Sequence, residues 1–200
     1  MENQEKQRST GWEGVSSSGV VKTVGRLNLA VAMHNPGAPQ ELSRFEEPQL
    51  ALRSFALNDI HALYGGRALW ALEDHSGIIV VVTRSEGAHR GFWEKRYRIA
   101  LSEEQWTDIE KLAARHSFFD LLVGERLGLP DEGRPIIEMT ATDGRSARVQ
   151  KWAGTKHPGF EPIYRRLWEL CRLDGELICE QPFVWDWRPA GYVSPQADAS

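Results

Sequence analysis

In the stretch PDEGRPIIEMTATDGRSARVQKW, Pro130, Asp131, Glu138 and Lys151 have the types and rough spacing that a metal-dependent nuclease uses. The carboxylates of such a site hold the metal, and the lysine steadies the developing charge. The pattern is incomplete, because Val149 stands two positions before the lysine, where that chemistry wants an acidic residue or glutamine. Whether the set converges depends on hairpin register. A two-residue turn at Asp143-Gly144 pairs Thr142 with Arg145 and puts Glu138 and Lys151 on one face. A three-residue turn with a left-handed Gly144 pairs Glu138 with Arg148, Met139 with Ala147 and Ile137 with Val149. That second register makes one face mostly apolar and sends Glu138 and Lys151 to opposite faces. Burial selects it, since a one-residue slip exchanges the two faces of the slipping strand.

Other chemistry-bearing groups are sparser. Asp74-His75-Ser76 has the residue types of a hydrolase triad, but triad members converge from separate elements. Three consecutive residues between two strand patterns read as turn chemistry instead. None of His34, His61, His75, His89, His116 and His157 forms a short metal-binding spacing. The segment GERLGLPDEG contains glycine but lacks the Lys-Ser/Thr of a phosphate loop, so it reads as a plain loop. No metal and no cofactor is expected.

Three groups suit binding better than catalysis. Arg90, Lys95, Arg96 and Arg98 alternate with Phe92, Trp93 and Tyr97, a mixture able to grip single-stranded nucleic acid. Lys156, His157, Arg165 and Arg166 cluster with Lys151 around a loop and helix start, where an anionic ligand or acidic partner would be drawn. Near the C-terminus Trp185 and Trp187 offer aromatic anchors of the kind that dominate partner surfaces.

The elements that must carry these residues follow from periodicity. RALWALE and IIVVVTR flank the turn DHSG as a hairpin, and FWEKRYRIA adds a strand with Trp93, Lys95, Tyr97 and Ile99 on one face. Ser102 and Gln105 form a capping box before a helix carrying Trp106, Ile109, Leu112, Ala113 and His116 on its stripe. The hairpin at 136–150 follows, then a second helix over about 160–172. A half-buried strand is expected over residues 27–33, and residues 41–64 fit either a short strand or a short helix. The tail ICEQPFVWDWRPAGY suits an edge strand or a clamped segment. The fold expected is α+β, an antiparallel sheet of about five to seven strands with two packed helices, in the order βββαββα after an N-terminal strand. Residues 65–188 would form the domain, 19–64 a leading strand and irregular segment, and 1–18 and 189–200 disordered tails.

Two hundred residues suit one sizeable domain, and a net charge of −4 argues against a general nucleic-acid binder. Charge is segregated: residues 101–144 carry four basic and ten acidic groups, whereas residues 145–172 carry seven basic and two acidic. Facing surfaces of opposite sign neutralise each other on folding, or steer a charged partner. The two cysteines, Cys171 and Cys179, have no metal-type spacing, and the N-terminus has no apolar core of a secretory signal. The apolar run IIVVV at 78–82 is too short to cross a membrane. A cytoplasmic protein with no membrane association is expected.

Over residues 65–171 the chain resembles an uncharacterised bacterial α+β domain family, in EKRYRIALSEEQW, GLPDEGRPII and VQKWAGTKHPGF. No activity comes with that resemblance, and so no catalytic residues. The expectation is a non-catalytic protein-binding module, an accessory or toxin-neutralising protein, with a protein partner. The alternative is a nucleic-acid binder or nuclease-like protein using Asp131, Glu138 and Lys151 or the 90–98 strand.

Overall fold

A computed structural model describes residues 50–85, 91–129, 131–185, 188–189 and 192. The expected strand at 27–33, the tail 1–18, Trp187 and, apart from Pro189 and Tyr192, the tail 189–200 lie outside them. Four strands come first: β1 (Leu52–His61), β2 (Gly65–Leu72), β3 (Ser76–Ser85) and β4 (Gly91–Ala100). Helix α1 (Glu103–Arg115) and a 3-10 turn (Phe118–Asp120) lead to the hairpin β5 (Ile136–Ala141) and β6 (Ser146–Gln150). Helix α2 (Phe160–Leu170) and strand β7 (Glu176–Pro182) complete the body.

All seven strands form one antiparallel sheet in the order β6-β5-β1-β2-β3-β4-β7. This is the α+β architecture expected, at the upper end of the strand count. Within residues 41–64 the pattern left helix and strand open. The structure makes residues 52–61 a strand at the heart of the sheet, paired with β2 on one side and β5 on the other. The sheet therefore begins before Gly65, and the expected boundary there falls inside it. Leu52, Phe55, Ala56 and Leu57 are all buried, so the segment is covered on both faces. Such a strand loses the clean alternation by which a half-buried one is recognised.

One face of the sheet packs against both helices. Phe55, Leu57, Leu69, Ile79, Ile99, Ile137 and Met139 meet Trp106 and Ile109 of α1 and Phe160, Ile163 and Leu167 of α2 in a single core. The α1 capping box forms as its sequence dictates: Gln105 N–H donates to Ser102 Oγ and Ser102 N–H to the Gln105 side chain. Polar ties fix α2 on the sheet. Tyr164 donates to Asp59 at 2.6 Å, and Arg67 donates to the Cys171 carbonyl at 2.6 Å. Burial raises the Tyr164 hydroxyl above its usual range, and the Asp59 carboxylate adds to that. Burial also pushes the Cys171 thiol up to about 12, which makes it an inert core group; both cysteines are free.

The opposite face is lined by small and β-branched residues, Ala56, Ala68, Val80 and Val82, with Phe183, Trp70 and Tyr192 packed on them. The two sheet edges differ. At one end β7 carries an irregularity opposite Arg96 and Tyr97, ends in Pro182, and is laced to β4 by Lys95–Glu180 and Arg98–Glu176 ion pairs. At the other end, β6 pairs with β5 alone among the described residues. Also among the described residues, no helix is long and apolar enough to cross a membrane.

Candidate functional site

The hairpin takes the bulged register. Gly144 has φ 93°, Ala141 N–H bonds the Arg145 carbonyl at 2.8 Å, and Glu138 lies opposite Arg148. Glu138 is 3% exposed and accepts from Arg148 Nε at 2.9 Å on one oxygen and from the Tyr192 hydroxyl on the other. Burial raises the Tyr192 hydroxyl, and the Glu138 carboxylate reinforces it. Lys151 projects from the other face. Its ammonium donates to Thr155 O at 2.9 Å and pairs with Glu161 of α2 at 3.0 Å. Asp131 is exposed and left-handed, with φ 66°. Asp131, Glu138 and Lys151 are thus not brought together, and each has a local structural partner or setting. Among the described residues no group of three or more His, Cys, Asp or Glu side chains could hold a metal ion.

The basic-aromatic strand is also committed. Lys95, Arg96 and Arg98 pair with Glu180, Glu94 and Glu176, and Arg90 lies outside the described residues. Glu94 was not singled out by sequence, yet it is fully buried, accepting from Arg96 Nε at 2.9 Å and Gln181 Nε2 at 2.7 Å. Of the remaining candidates, Lys156 and Arg165 are exposed, His157 accepts from Gly159 N–H, and Arg166 joins α2 to Asp108 of α1 at 2.9 Å. Trp185 is exposed and packs edge-on against Phe92 and Phe183. It sits at the β4 end of the sheet, five strand spacings from β6, roughly 24 Å.

A concavity lies at the β6 edge, in a place the sequence left as a plain loop. A cleft of about 390 Å³ is bounded by residues 148–152 on one side and 121–126 on the other, with Arg134 at its margin. Its geometry is built from three side chains. Glu132 accepts from Leu129 N–H at 3.1 Å, Gly154 N–H at 2.7 Å and the Arg126 guanidinium. Arg126 in turn donates to Thr155 Oγ1 at 2.8 Å. Trp152 donates its indole N–H to the Arg126 carbonyl at 2.9 Å and lies close over Gly128, where any Cβ would meet the ring at 2.5 Å. Arg134 lies over the same indole, 4.9 Å from its centroid, and forms no ion pair among the described residues. The loop is therefore fastened to the chain that follows β6, but it turns apolar residues outward. Leu122, Leu127 and Leu129 are 88%, 95% and 70% exposed.

The Glu132 clamp makes a pH prediction. Its hydrogen bonds, led by that from Leu129 N–H, hold the carboxyl below its ordinary value because they favour the ionised form. A depressed carboxyl stabilises above its unfolded pKa, and that contribution disappears as pH falls through the folded value. In an amide NMR titration, Leu129 and Gly154 are expected to shift together, at lower pH than an unperturbed glutamate would. Glu132→Gln should abolish that titration and speed exchange of both amides. A midpoint in the ordinary glutamate range would contradict the clamp.

Arg134, Trp152 and the three leucines were missed because none belongs to a motif. The available signal was the loop itself: leucines without helical or strand period in a long Gly/Pro connection, which is where function concentrates. Comparison of the chain with protein-family models, curated proteins and solved structures finds no match.

Proposed function

We propose that this protein is a non-catalytic binding module for another protein, of the accessory or neutralising kind, and that it binds through the β6 end of its sheet. The observation that carries this reading is the set of exposed leucines, Leu122, Leu127 and Leu129, on a loop that is otherwise fastened by hydrogen bonds. Isolated exposed leucines need no explanation, but an apolar rim beside a formed cleft is the usual mark of an interface. Fixing the rim in advance lowers the ordering cost of association.

The test places a photo-crosslinking amino acid at Leu127 and, in a second variant, at Trp185, in the native host. One dominant protein adduct from position 127, lost when Arg134→Glu is added, supports the reading. Adducts from position 185 alone would move the surface to the other edge of the sheet. Adducts from neither position would reject a binding role for both.

A further inference from the structure

Resting on that reading, we infer that the partner is recognised as an extended, acidic segment that adds to β6 as an eighth strand, running in the cleft between β6 and residues 121–126. The backbone of β6 supplies the first argument. Ala141 N–H bonds the Arg145 carbonyl, and Lys151 N–H bonds the Pro135 carbonyl. The odd-numbered residues of β6 therefore make the hydrogen bonds to β5. In an antiparallel ladder the alternate residues then point their N–H and C=O groups away from the partner strand. Ser146, Arg148 and Gln150 carry that outward row, and the cleft opens beside residues 148–152. A row left unpaired among the described residues is a template for strand addition, in which main-chain bonds give affinity and side chains give selectivity.

The second argument is charge. Arg134 is exposed, lies over the Trp152 indole, and pairs with no carboxylate among the described residues, so it is a positioned guanidinium at the cleft margin. Among the described residues Arg148 meets Glu138 through Nε, and its terminal N–H groups can reach a second acceptor. A guanidinium in this condition prefers a planar carboxylate. The same charges argue against self-pairing. A second copy lying antiparallel along β6 and centred on Arg148 would set that guanidinium against its own counterpart, and like charges directly opposite are destabilising.

The probe is a short synthetic peptide alternating valine with glutamate, titrated into the full chain and followed by amide NMR and hydrogen exchange. Slowed exchange at Ser146, Arg148 and Gln150, with a shift of the Trp152 indole, is expected. Binding should weaken about tenfold in Gln150→Pro, which deletes one outward donor and no β5 bond. Arg134→Glu, at an exposed position that does not threaten folding, should weaken it at least as much. Equal binding of a valine–lysine peptide, or unchanged binding by both variants, would overturn the inference. So would protection of the β6 amides that rises with protein concentration alone, because the occupant would then be a second copy. If the Leu127 crosslink survives Gln150→Pro at full yield, strand addition fails while the protein-binding reading stands. If the crosslink is absent from the parent protein, the binding reading itself fails.

Discussion

Lys151→Ala is expected to lower the unfolding free energy by about 3 kcal/mol. The ammonium is almost wholly enclosed and serves three acceptors, the carbonyls of Ala153 and Thr155 and the carboxylate of Glu161. Truncation leaves those carbonyls without a donor and Glu161 without its cation. It also removes a cation from above the Phe160 ring, 5.3 Å away. The figure is set below the upper range for buried pairs because the Glu161 side chain still reaches solvent. Lys151→Met, which keeps the apolar stem, should lose visibly less. Urea unfolding of the three proteins measures this, and a change below about 1 kcal/mol for Lys151→Ala would show that the network contributes little.

A comparable loss is expected from Gly65→Ala at the start of β2. Gly65 has φ +76°, and an added Cβ would lie 2.2 Å from the Val82 carbonyl oxygen. The conformation alone costs an L-residue about 1–2 kcal/mol. The collision is with backbone of the neighbouring strand, which cannot retreat without breaking the β2–β3 ladder. The sum should exceed about 3 kcal/mol, in the range of the most damaging single substitutions. Gly144→Ala is the internal control. That glycine also has positive φ, +93°, but nothing lies within 4 Å of the new Cβ. It should lose only the conformational part, so near-equal urea midpoints for the two alanine variants would count against the steric argument.

What the sequence disclosed, and what it did not, follows the reach of the interactions. The capping box of α1 and the register of the 136–150 hairpin rest on neighbours a few residues apart, and both were readable. Glu138 opposite Arg148 came from the requirement that Ile137, Met139 and Val149 share a buried face. The strand β1 was not readable, because its role depends on β5, some eighty residues away in the chain. Its Asn58, Asp59 and His61 also dilute the apolar signal. The cleft was illegible for a similar reason. Glu132, Gly154 and Arg126 meet only because the loop folds back on the turn after β6. Conversely, the basic-aromatic strand looked available for a ligand only while Glu94, Glu176 and Glu180 could not be seen across from it.

The unlike ends of the sheet have a consequence for polymer growth. A filament of stacked sheets needs a free donor edge and a free acceptor edge on every unit, so that each addition regenerates the site it consumed. Here the β7 end is irregular, ion-paired and stopped by Pro182, and among the described residues the β6 end carries no further strand. A second copy that joined β6 to β6 would use up the open edge of both units and leave, among the described strands, only the two ion-paired β7 ends.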